Sequence, residues 1–556
     1  MTHPGEQFYP EGVHWDDPIA RGTLPDLLAG AAAQFSVQPA LEFRDRPISY
    51  GELEDQVELA AAAFLRAGYG SNQSIALFLG NCPDHPVNFF GALKAGARIV
   101  HLSPLDGERA LSHKLSDSGA RILITSDLAA LLPIALKFLD KGLLDRLIVC
   151  QDDRWGAVGN THAAIPDHPA IVRYDRFVAG AVRPPQWPEI AVDDVAVLQY
   201  TGGTTGLPKG AMLSHGNLTA AVSIYDLWTK KRDASERVIC VLPLFHIYAL
   251  TVILLRSLAR GDLISLHQRF DVEAVMRDIE VKRATSFPGV PTMWIAMAAL
   301  PDLDRRDLSS LVSCGSGGAP LPVEVARIFE RKTNMKLKSG WGMTETCSPG
   351  TGHPPAGPDK PGSIGLMLPG IEMDVVALED ARKVLPQGSI GEIRIRGPNV
   401  TRGYWNRPQE TAESFVGDRF LIGDIGYMDN DGYFYLVDRK KDMIISGGFN
   451  VYPQMIEQAI YEHPAVQEVI VIGIPDDYRG EAAKAFVKLR AGAALFTLDE
   501  MKAFLTGKLG KHEIPTALEF VDELPKTPVG KLSRHELRNQ QTLQGQQPPL
   551  TAGARS

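Results

Sequence analysis

A run of glycines and threonines beside one lysine is the first place where this sequence could do chemistry. The stretch TGGTTGLPKG, residues 201–210, directly follows the apolar run VAVLQY, and Lys209 is its only charge. Successive backbone N–H groups after a strand can form a concavity that binds anions, and threonine hydroxyls add donors for phosphate oxygens. The P-loop pattern GxxxxGK(S/T) is not met, because Gly210 follows the lysine. The stretch indicates a phosphate site of a different kind, with a flexible surface loop as the alternative.

Further motifs follow this stretch along the chain. They are GWGMTET (340–346), LIGDIGY (421–427), VDRKKDMIISGGFNVYP (437–453) and PKTPVGKLSR (525–534). Together the motifs resemble, in order and spacing, the signatures of the adenylate-forming superfamily, which includes acyl-CoA synthetases, firefly luciferase and peptide-synthetase adenylation domains. The resemblance covers roughly residues 20–538. Within the acyl-CoA synthetase branch, MLPGIEMDVVA and the PKTPVGK ending are most similar to bacterial medium- and long-chain fatty acyl-CoA ligases.

The resemblance implies a reaction in two halves. In this family a carboxylate attacks the α-phosphate of ATP, so that an acyl-adenylate forms and pyrophosphate leaves. The thiol of coenzyme A then takes the acyl group, and AMP departs. Because the carboxylate and ATP are both anionic, fixed donors and cations matter more than a strong base. We therefore expect ATP and coenzyme A as co-substrates and Mg²⁺ as the cofactor.

The same resemblance assigns the phosphate and metal site. Glu345 is expected to hold Mg²⁺ with Thr204, and Thr344 to donate to the α-phosphate. A hard carboxylate oxygen suits Mg²⁺ when phosphates and water supply the other ligands. The residues expected around the β- and γ-phosphates are Thr201, Gly202, Gly203, Thr204, Thr205, Gly206 and Lys209.

The nucleoside site is implied by three of the motifs. Trp341 is expected to stack on adenine, Asp424 to accept from the ribose hydroxyls, and Arg439 to brace the ribose. Taken alone, a tryptophan packs in a core more often than it binds a ligand, so these roles depend on the resemblance. Small residues that let the backbone approach the nucleotide complete the site, namely Gly317, Ala319, Pro320, Gly340 and Gly342.

A mobile C-terminal domain gives the last motif its role. Lys531 is expected to bridge the substrate carboxylate and the ATP phosphate during adenylation, and then to leave the site. The domain would rotate about a hinge at either Asp438 or Lys441, since hinge residues lie at element ends. After rotation the pantetheine tunnel would be lined by Gly447, Gly448 and Phe449. A protein lysine acetyltransferase acting on Lys531 would remove its charge and stop adenylation.

The acid substrate is read from PLFHIYAL, residues 243–250. This segment resembles the wall of the acyl pocket, with His246 near the reacting carboxylate. It contains no acidic residue, which argues against an amino-acid substrate. An alkyl or aryl chain is expected against the apolar residues Phe245, Leu250, Val290 and Met293.

Two arginines leave a second substrate class open. Arg256 and Arg260 follow the acyl segment at helical spacing. If either reaches the pocket floor, a pimelate-like dicarboxylic acid could bind, because burying its far carboxylate unpaired would be prohibitive. Otherwise both are solvated surface charges. The motifs are also compatible with an aryl-CoA ligase, an acyl-AMP ligase that loads a carrier protein, an oxidative luciferase-type enzyme and a non-enzymatic binding protein.

The elements that must position these residues are read from periodicity. Residues 24–68 look helical, while SIALFLG, ILITS and RLIVC are short buried strands between helical stretches, which favours a parallel sheet with helices on its faces. The residues from about 360 to 437 are strand-rich. With the resemblance, we expect an α/β fold whose large N-terminal domain has αβαβα-type subdomains and a small β-barrel-like subdomain, followed by a mobile α+β domain. The expected boundaries are 1–437, a hinge at 438–441, a C-terminal domain at 442–538 and a disordered tail at 539–556.

Composition limits the remaining classes. A chain of 556 residues is too long for one core, and a net charge of −9 argues against a nucleic-acid partner. Five dispersed cysteines without a CxxC pair indicate reduced thiols. We find no basic-then-apolar leader and no apolar run long enough to span a bilayer. We expect a cytoplasmic monomer or homodimer, with peripheral membrane contact left open.

Overall fold

The computed structural model describes most of the chain. The described ranges are 3–156, 159–201, 208–229, 234–319, 321–354, 357–358, 360–447, 449–476, 478–527 and 532–545. Several predicted site residues lie outside these ranges, namely Gly202, Gly203, Thr204, Thr205, Gly206, Pro320, Gly448 and Lys531.

Helices and strands alternate along the chain. The helices are α1 (Leu24–Phe35), α2 (Tyr50–Arg66), α3 (Asp84–Lys94), α4 (Glu108–Ser118), α5 (Leu132–Asp140), α6 (Tyr174–Val178), α7 (His215–Trp228), α8 (Arg256–Arg260), α9 (Val272–Glu280), α10 (Pro291–Ala298), α11 (Val323–Thr333), α12 (Pro408–Glu413), α13 (Pro453–Tyr461), α14 (Leu498–Leu505) and α15 (Arg534–Gly545). The strands are β1 (Pro39–Phe43), β2 (Arg46–Ser49), β3 (Ser74–Phe78), β4 (Arg98–His101), β5 (Ile122–Ser126), β6 (Arg146–Cys150), β7 (Ile171–Arg173), β8 (Val195–Thr201), β9 (Lys209–Ser214), β10 (Arg237–Cys240), β11 (Leu263–Leu266), β12 (Ser286–Gly289), β13 (Ser313–Ser316), β14 (Lys338–Trp341), β15 (Thr351–Gly352), β16 (Leu366–Met367), β17 (Glu372–Val376), β18 (Gly391–Arg396), β19 (Phe415–Val416), β20 (Arg419–Met428), β21 (Phe434–Arg439), β22 (Ile444–Ser446), β23 (Phe449–Val451), β24 (Val466–Asp476), β25 (Gly480–Leu489) and β26 (Ala517–Phe520).

Two large sheets share one core in the N-terminal part. One has the order β7-β6-β5-β3-β4-β8-β9, and the other β16-β15-β14-β13-β12-β10-β11-β1-β2. Their central strands are parallel, and β9 runs antiparallel to β8. The core joins Phe64 of α2 to Ile75 of one sheet and Ile264 of the other, all without solvent exposure. Helices thus pack between the sheets, which confirms the predicted αβαβα layering.

One local prediction was wrong in this part. The span 24–68 is not helical throughout, because the hairpin β1–β2 separates α1 from α2. Lys209 and Gly210, the last two residues of the glycine-rich stretch, already belong to strand β9. The helix that follows, α7, begins at a capping box in which the Ser214 hydroxyl accepts from the backbone N–H of Asn217 at 3.0 Å.

The third sheet is the predicted barrel-like element. Strands β17, β18, β20 and β19 pair antiparallel, and β21 adds to β20, so the sheet forms a half-barrel. Its core includes Trp341 and Phe420. The sheet therefore lies against the end of β14, which carries the GWGMTET motif.

The helical segment after β10 is unusual. Residues Ala249–Leu255 wind as a π-helix, which continues directly into α8. Such wide turns are rare and often lie at functional sites. Tyr248, Val252 and Arg256 are spaced by four residues and face the same cavity.

The C-terminal residues form a small α+β unit. Its sheet has the order β23-β22-β25-β24, with β26 on β25, and α13 and α14 contribute to a core of their own. Helix α15 extends to Gly545, so the predicted disorder of the tail was wrong for residues 539–545. Residues 546–556 lie outside the described ranges. Within those ranges every helix is too short or too polar to cross a bilayer.

Candidate active site

A large cleft brings most of the predicted residues together. Its cavity volume is about 1820 Å³, and its walls come from the N-terminal sheets, the half-barrel and the C-terminal unit. The predicted residues on these walls are Thr201, Lys209, His246, Gly317, Ala319, Gly340, Trp341, Gly342, Thr344, Glu345, Asp424 and Arg439. Both candidate hinge residues, Asp438 and Lys441, also line the cleft.

The two described residues that were predicted to contact pantetheine lie away from this cleft. Gly447 and Phe449 belong to the first hairpin of the C-terminal unit and are not among its lining residues. The Phe449 side chain is 60% exposed and lies 4.9 Å from the ring of His512, between centroids. Their predicted contact with pantetheine, which requires the small domain to rotate, stays a prediction.

The ends of the glycine-rich loop are fixed by strand pairing. Thr201 ends β8 and Lys209 begins β9, and these two residues are cross-strand partners. The Lys209 ammonium lies 2.8 Å from Glu410 Oε2 of α12 and 5.3 Å from the centre of the Tyr404 ring. The predicted phosphate-binding lysine is therefore at the cleft wall, and a carboxylate neutralises its charge in this structure.

Glu345 presents a buried carboxylate to the cleft. The residue is 5% exposed, and the Tyr404 hydroxyl donates to its Oε1 at 2.8 Å. Burial raises the pKa of Glu345, and the Tyr404 hydrogen bond opposes that rise. A buried carboxylate with one hydroxyl donor has oxygen lone pairs left for a hard cation, so the residue fits Mg²⁺. The described residues contain no cluster of three metal-binding side chains, and Thr204, the other predicted ligand, lies outside them.

Backbone packing and a hydrogen bond on the side away from the cleft hold the loop that carries Thr344 and Glu345. A Cβ on Gly342 would lie 1.2 Å from the Ser348 carbonyl oxygen, so only glycine fits this turn. The Asn399 amide donates to the Thr346 carbonyl at 2.7 Å. These contacts hold Thr344 at the cleft wall.

Sequence reasoning missed the segment that supports this loop. Asn399, Thr401 and Tyr404 all contact it, and the Thr401 N–H donates to the Glu345 carbonyl at 2.7 Å. Asn217 of α7 holds the start of this segment in place, because its side-chain amide donates to the Pro398 carbonyl at 2.8 Å. The short polar run NVTRGY, residues 399–404, is the sequence pattern that could have indicated this supporting segment.

The nucleoside motif forms a hydrogen-bonded group. The Trp341 indole N–H donates to Asp424 Oδ2 at 2.8 Å, and Arg439 Nε lies 2.6 Å from Asp424 Oδ1. Asp424 and Arg439 are cross-strand partners on β20 and β21, and Asp424 is 2% exposed. A Cβ on Gly350 would lie 2.4 Å from the Trp341 ring. Gly350 therefore closes one side of the indole, and stacking on adenine stays a prediction.

The acyl wall differs from the predicted set. Phe245 lines the cleft, but the prediction was wrong for three buried core residues, Leu250, Val290 and Met293. The wall contains instead Tyr225, Tyr248, Val252 and Ile295. Gly317 makes room for Tyr248, because a Cβ there would lie 2.9 Å from the Tyr248 Cζ.

The two arginines separate in the structure. Arg256 lines the cleft. Arg260 is buried away from it, 3.2 Å from Asp226 Oδ1 and 3.5 Å from Asp262 Oδ2. The prediction of two solvated charges was wrong, because Arg260 is neutralised inside the protein.

A buried polar chain runs behind His246. His101 Nδ1 lies 3.0 Å from Gln199 Oε1, and the Gln199 amide donates to the Phe245 carbonyl at 2.8 Å. His246 accepts from the Tyr248 backbone N–H at 3.2 Å through Nδ1. Burial lowers the pKa of His101 to about 4, so its imidazole is neutral at physiological pH.

The candidate hinge is tied to the last motif. Asp438 has no exposed side-chain surface, and Arg534 Nη1 donates to its Oδ1 at 2.9 Å. Arg534 also pairs with Glu457, at 2.6 Å between Nη2 and Oε2. Lys441 is an exposed residue, and the partial burial of its ammonium lowers its pKa. The arrangement connects the hinge carboxylate to the helix that follows the PKTPVGK motif.

This combination of fold and cleft is that of a nucleotide-binding enzyme built from two parts. The comparisons with protein families agree with this class. The family described as AMP-binding enzyme matches residues 28–405. The family described as AMP-binding enzyme C-terminal domain matches residues 455–531. The chain therefore belongs to the AMP-binding enzyme family.

Individual relatives cover nearly the whole chain. A long-chain-fatty-acid–CoA ligase of Bacillus subtilis (strain 168) is 37% identical over 528 residues, which are 92% of this chain and 93% of the relative. A feruloyl-CoA synthase of Amycolatopsis sp is 37% identical over 485 residues, 85% of this chain and 90% of the relative. The solved o-succinylbenzoate coenzyme A synthetase of Bacillus subtilis, in complex with ATP and magnesium ion, has a TM-score of 0.78 and 27% identity, covering 92% of this chain and 99% of its own.

Proposed function

We propose that this protein is an ATP-dependent acyl-CoA ligase that activates a medium- to long-chain fatty acid. The acid becomes an acyl-adenylate with loss of pyrophosphate, and coenzyme A then displaces AMP. The observation that carries the proposal is the convergence of Lys209, Glu345 and Asp424 in one cleft with an acyl wall. The names of the curated relatives, which are CoA ligases, support the same reaction.

Each residue has a task in the proposed reaction. Glu345 holds Mg²⁺, which supplies charge to the phosphates of ATP when bound. Lys209 and the glycine-rich loop bind the outer phosphates, and Thr344 donates to the α-phosphate. Asp424 accepts from the ribose hydroxyls. Glu345 and Asp424 are held by hydrogen bonds from Tyr404 and Trp341 before the substrates bind, so they stabilise developing charge without reorganising.

The domain roles follow from the same proposal. Residues 1–437 form the adenylation domain, and 442–538 form the domain that rotates about Asp438 or Lys441. Lys531 neutralises charge between the carboxylate and the phosphate, and acetylation at this residue would switch the first half-reaction off. The acetyl mimic Lys531→Gln should stop adenylation yet still convert supplied acyl-adenylate to thioester. Equal loss of both half-reactions would contradict this division of labour.

The reaction itself is tested by AMP formation from ATP, Mg²⁺ and coenzyme A over a panel of straight-chain acids. We expect turnover with acids of eight carbons or more, and at least a hundredfold loss in Glu345→Gln, because an amide is a poor Mg²⁺ ligand. Glu413→Gln, an exposed position on α12, is the matched control and should be unaffected. Absence of AMP with every acid would refute the proposal, and AMP without thioester would indicate a carrier-loading or oxidative enzyme.

A second candidate is an aryl-CoA ligase. It is favoured by the two tyrosines on the acyl wall, Tyr225 and Tyr248, because aromatic rings pack well against aromatic substrates. The name of the Amycolatopsis relative, a feruloyl-CoA synthase, points the same way. Including benzoates and hydroxycinnamates in the panel separates the two candidates by their relative kcat/KM.

A further inference from the structure

The far end of the acyl wall is polar. Tyr248, Val252 and Arg256 follow one another at four-residue spacing along the π-helical segment and α8, and all three line the cleft. Tyr225 of α7 faces them. Tyr248 and Arg256 are separated by on the order of 12 Å along the helix axis. A substrate chain that runs along this wall would meet the arginine at the end away from its reacting carboxylate.

Arg256 is held in place from one side. Its Nη2 donates to Thr229 Oγ1 at 2.5 Å, and its Nε lies 3.4 Å from Asp226 Oδ1. Among the described residues its Nη1 makes no hydrogen bond. The side chain is 18% exposed, and this residue lines the cavity. A guanidinium fixed by two partners with a third nitrogen available is a preorganised hydrogen-bond donor.

The charges around Arg256 determine which substrate group its guanidinium can bind. Asp226 is shared with Arg260, which also lies 3.5 Å from Asp262 and 3.9 Å from Glu236. The described part of this cluster therefore holds two guanidinium groups and three carboxylates. A substrate carboxylate would add a fourth negative charge at low dielectric, which is unfavourable. A neutral oxygen can accept from the guanidinium without that cost.

The tyrosines favour the same kind of group. Burial raises the pKa of both Tyr225 and Tyr248, so both phenols stay protonated at neutral pH. A protonated phenol can donate a hydrogen bond to a hydroxyl or ether oxygen. The wall thus offers neutral donors near the arginine.

We propose that Arg256 binds a neutral oxygen, such as a hydroxyl, phenol or ether, at the far end of the acyl group. The site would select oxygenated acids over unsubstituted alkanoic acids of the same length. This inference rests on the proposed acyl-CoA ligase function and specifies its substrate class. It also disfavours the dicarboxylic alternative, because the three carboxylates near Arg256 already outnumber the two guanidinium groups described there.

The test compares substrates that differ only at the far end. Rates of AMP formation would be measured for decanoic, 10-hydroxydecanoic and decanedioic acids, and for 4-hydroxycinnamic and cinnamic acids. In the wild type we expect kcat/KM to favour each hydroxylated acid about tenfold over its unsubstituted partner, since a hydrogen bond to a charged group is worth about 1.5 kcal/mol. Decanedioic acid should be the poorest of the three decanoic substrates.

The variants assign that preference to one residue. Arg256→Met should bring the hydroxyl preference close to one, and Arg256→Lys should retain part of it. Arg277→Met is the matched control, because Arg277 is 61% exposed on α9 with Asp45 as its partner, and the preference should persist there. A thermal melt of each variant shows that it is folded.

Different outcomes separate this inference from the proposed function. A hydroxyl preference that survives in folded Arg256→Met would overturn the role of Arg256. A wild-type preference for decanedioic acid that disappears in Arg256→Met would overturn the neutral-oxygen assignment in favour of a dicarboxylic substrate. Equal turnover of all three decanoic acids would refute the inference alone. Absence of AMP with every acid would refute the acyl-CoA ligase function, and the inference with it.

Discussion

Methionine in place of Arg534 would remove the cation that links the hinge to the C-terminal unit. Arg534 Nη1 donates to Asp438 at 2.9 Å, while Nε and Nη2 donate to the two oxygens of Glu457 at 3.0 and 2.6 Å. The Arg534 side chain is 16% exposed, and that of Asp438 is fully buried. Because methionine keeps much of the aliphatic volume, the substitution tests the charge more than the packing.

The expected loss follows from the two carboxylates left behind. Breaking a buried ion pair by removing one partner costs about 3–5 kcal/mol, because an uncompensated charge stays buried. Burial raises the pKa of Glu457 and Asp438 above their usual 4.5 and 3.8, and Arg534 opposes both rises. Without Arg534 both folded-state pKa values rise further.

The raised pKa values of Glu457 and Asp438 determine how the stability of the variant changes with pH. A carboxyl whose folded pKa lies above its unfolded value favours the folded state below the unfolded pKa, and that stability is lost as pH rises through the folded pKa. The variant should therefore be most destabilised at pH 7. The difference from wild type should shrink as the pH falls through the raised pKa values of the two carboxyls, because each carboxyl becomes protonated there.

Urea unfolding of the two proteins at several pH values measures this difference, and amide exchange locates it in the C-terminal unit. Lys502→Met is the matched control in the same C-terminal unit, because Lys502 is 42% exposed on α14 and lies 3.7 Å from Asp499, which is 93% exposed. An exposed pair contributes about 0.2–1 kcal/mol. Equal losses in the two variants, or a loss in Arg534→Met that does not change with pH, would refute the reasoning.

Three further predictions concern the cleft. Gly342→Ala places a Cβ 1.2 Å from the Ser348 carbonyl oxygen, so calorimetry should find ATP binding lost, with the melting temperature lowered. Glu410→Gln frees Lys209 from its 2.8 Å ion pair. KM for ATP should then fall up to about fivefold, because such a pair is worth about 1 kcal/mol. An unchanged KM would mean that Lys209 does not contact the phosphates. Trp341→Phe removes the N–H that donates to the buried aspartate of β20 at 2.8 Å, and should raise KM for ATP about tenfold without affecting KM for coenzyme A.

The sequence predicted which motifs meet, but not what supports them. The glycine-rich loop, GWGMTET and LIGDIGY are recognisable as local patterns, and the cleft contains described residues from all three. The hydrogen bond from Tyr404 to Glu345 joins residues 59 positions apart, and no local pattern encodes such a pair. The same applies to the indole N–H of Trp341, which reaches Asp424 on another sheet.

The acyl wall shows a second limit of sequence reasoning. Apart from Tyr248 and Thr251, the segment IYALTVILL is apolar. Its sequence therefore shows no clear polar face that would indicate which side meets the core. Leu250 was expected on the wall and is buried in the core, whereas Tyr248 and Val252 face the cleft. The π-helical winding also changes the angle between successive residues. A prediction based on the α-helical period therefore places the side chains on the wrong faces.

The same π-helical turn gives this protein an unusual way to change over evolutionary time. A π-helix closes its hydrogen bonds over five residues, one more than an α-helix, so the segment at 249–255 holds a surplus residue. Loss of a single codon there would restore ordinary winding and turn the side chains ahead of α8 to a new face. Substrate range could then shift through segment length, while the nucleotide motifs stay untouched.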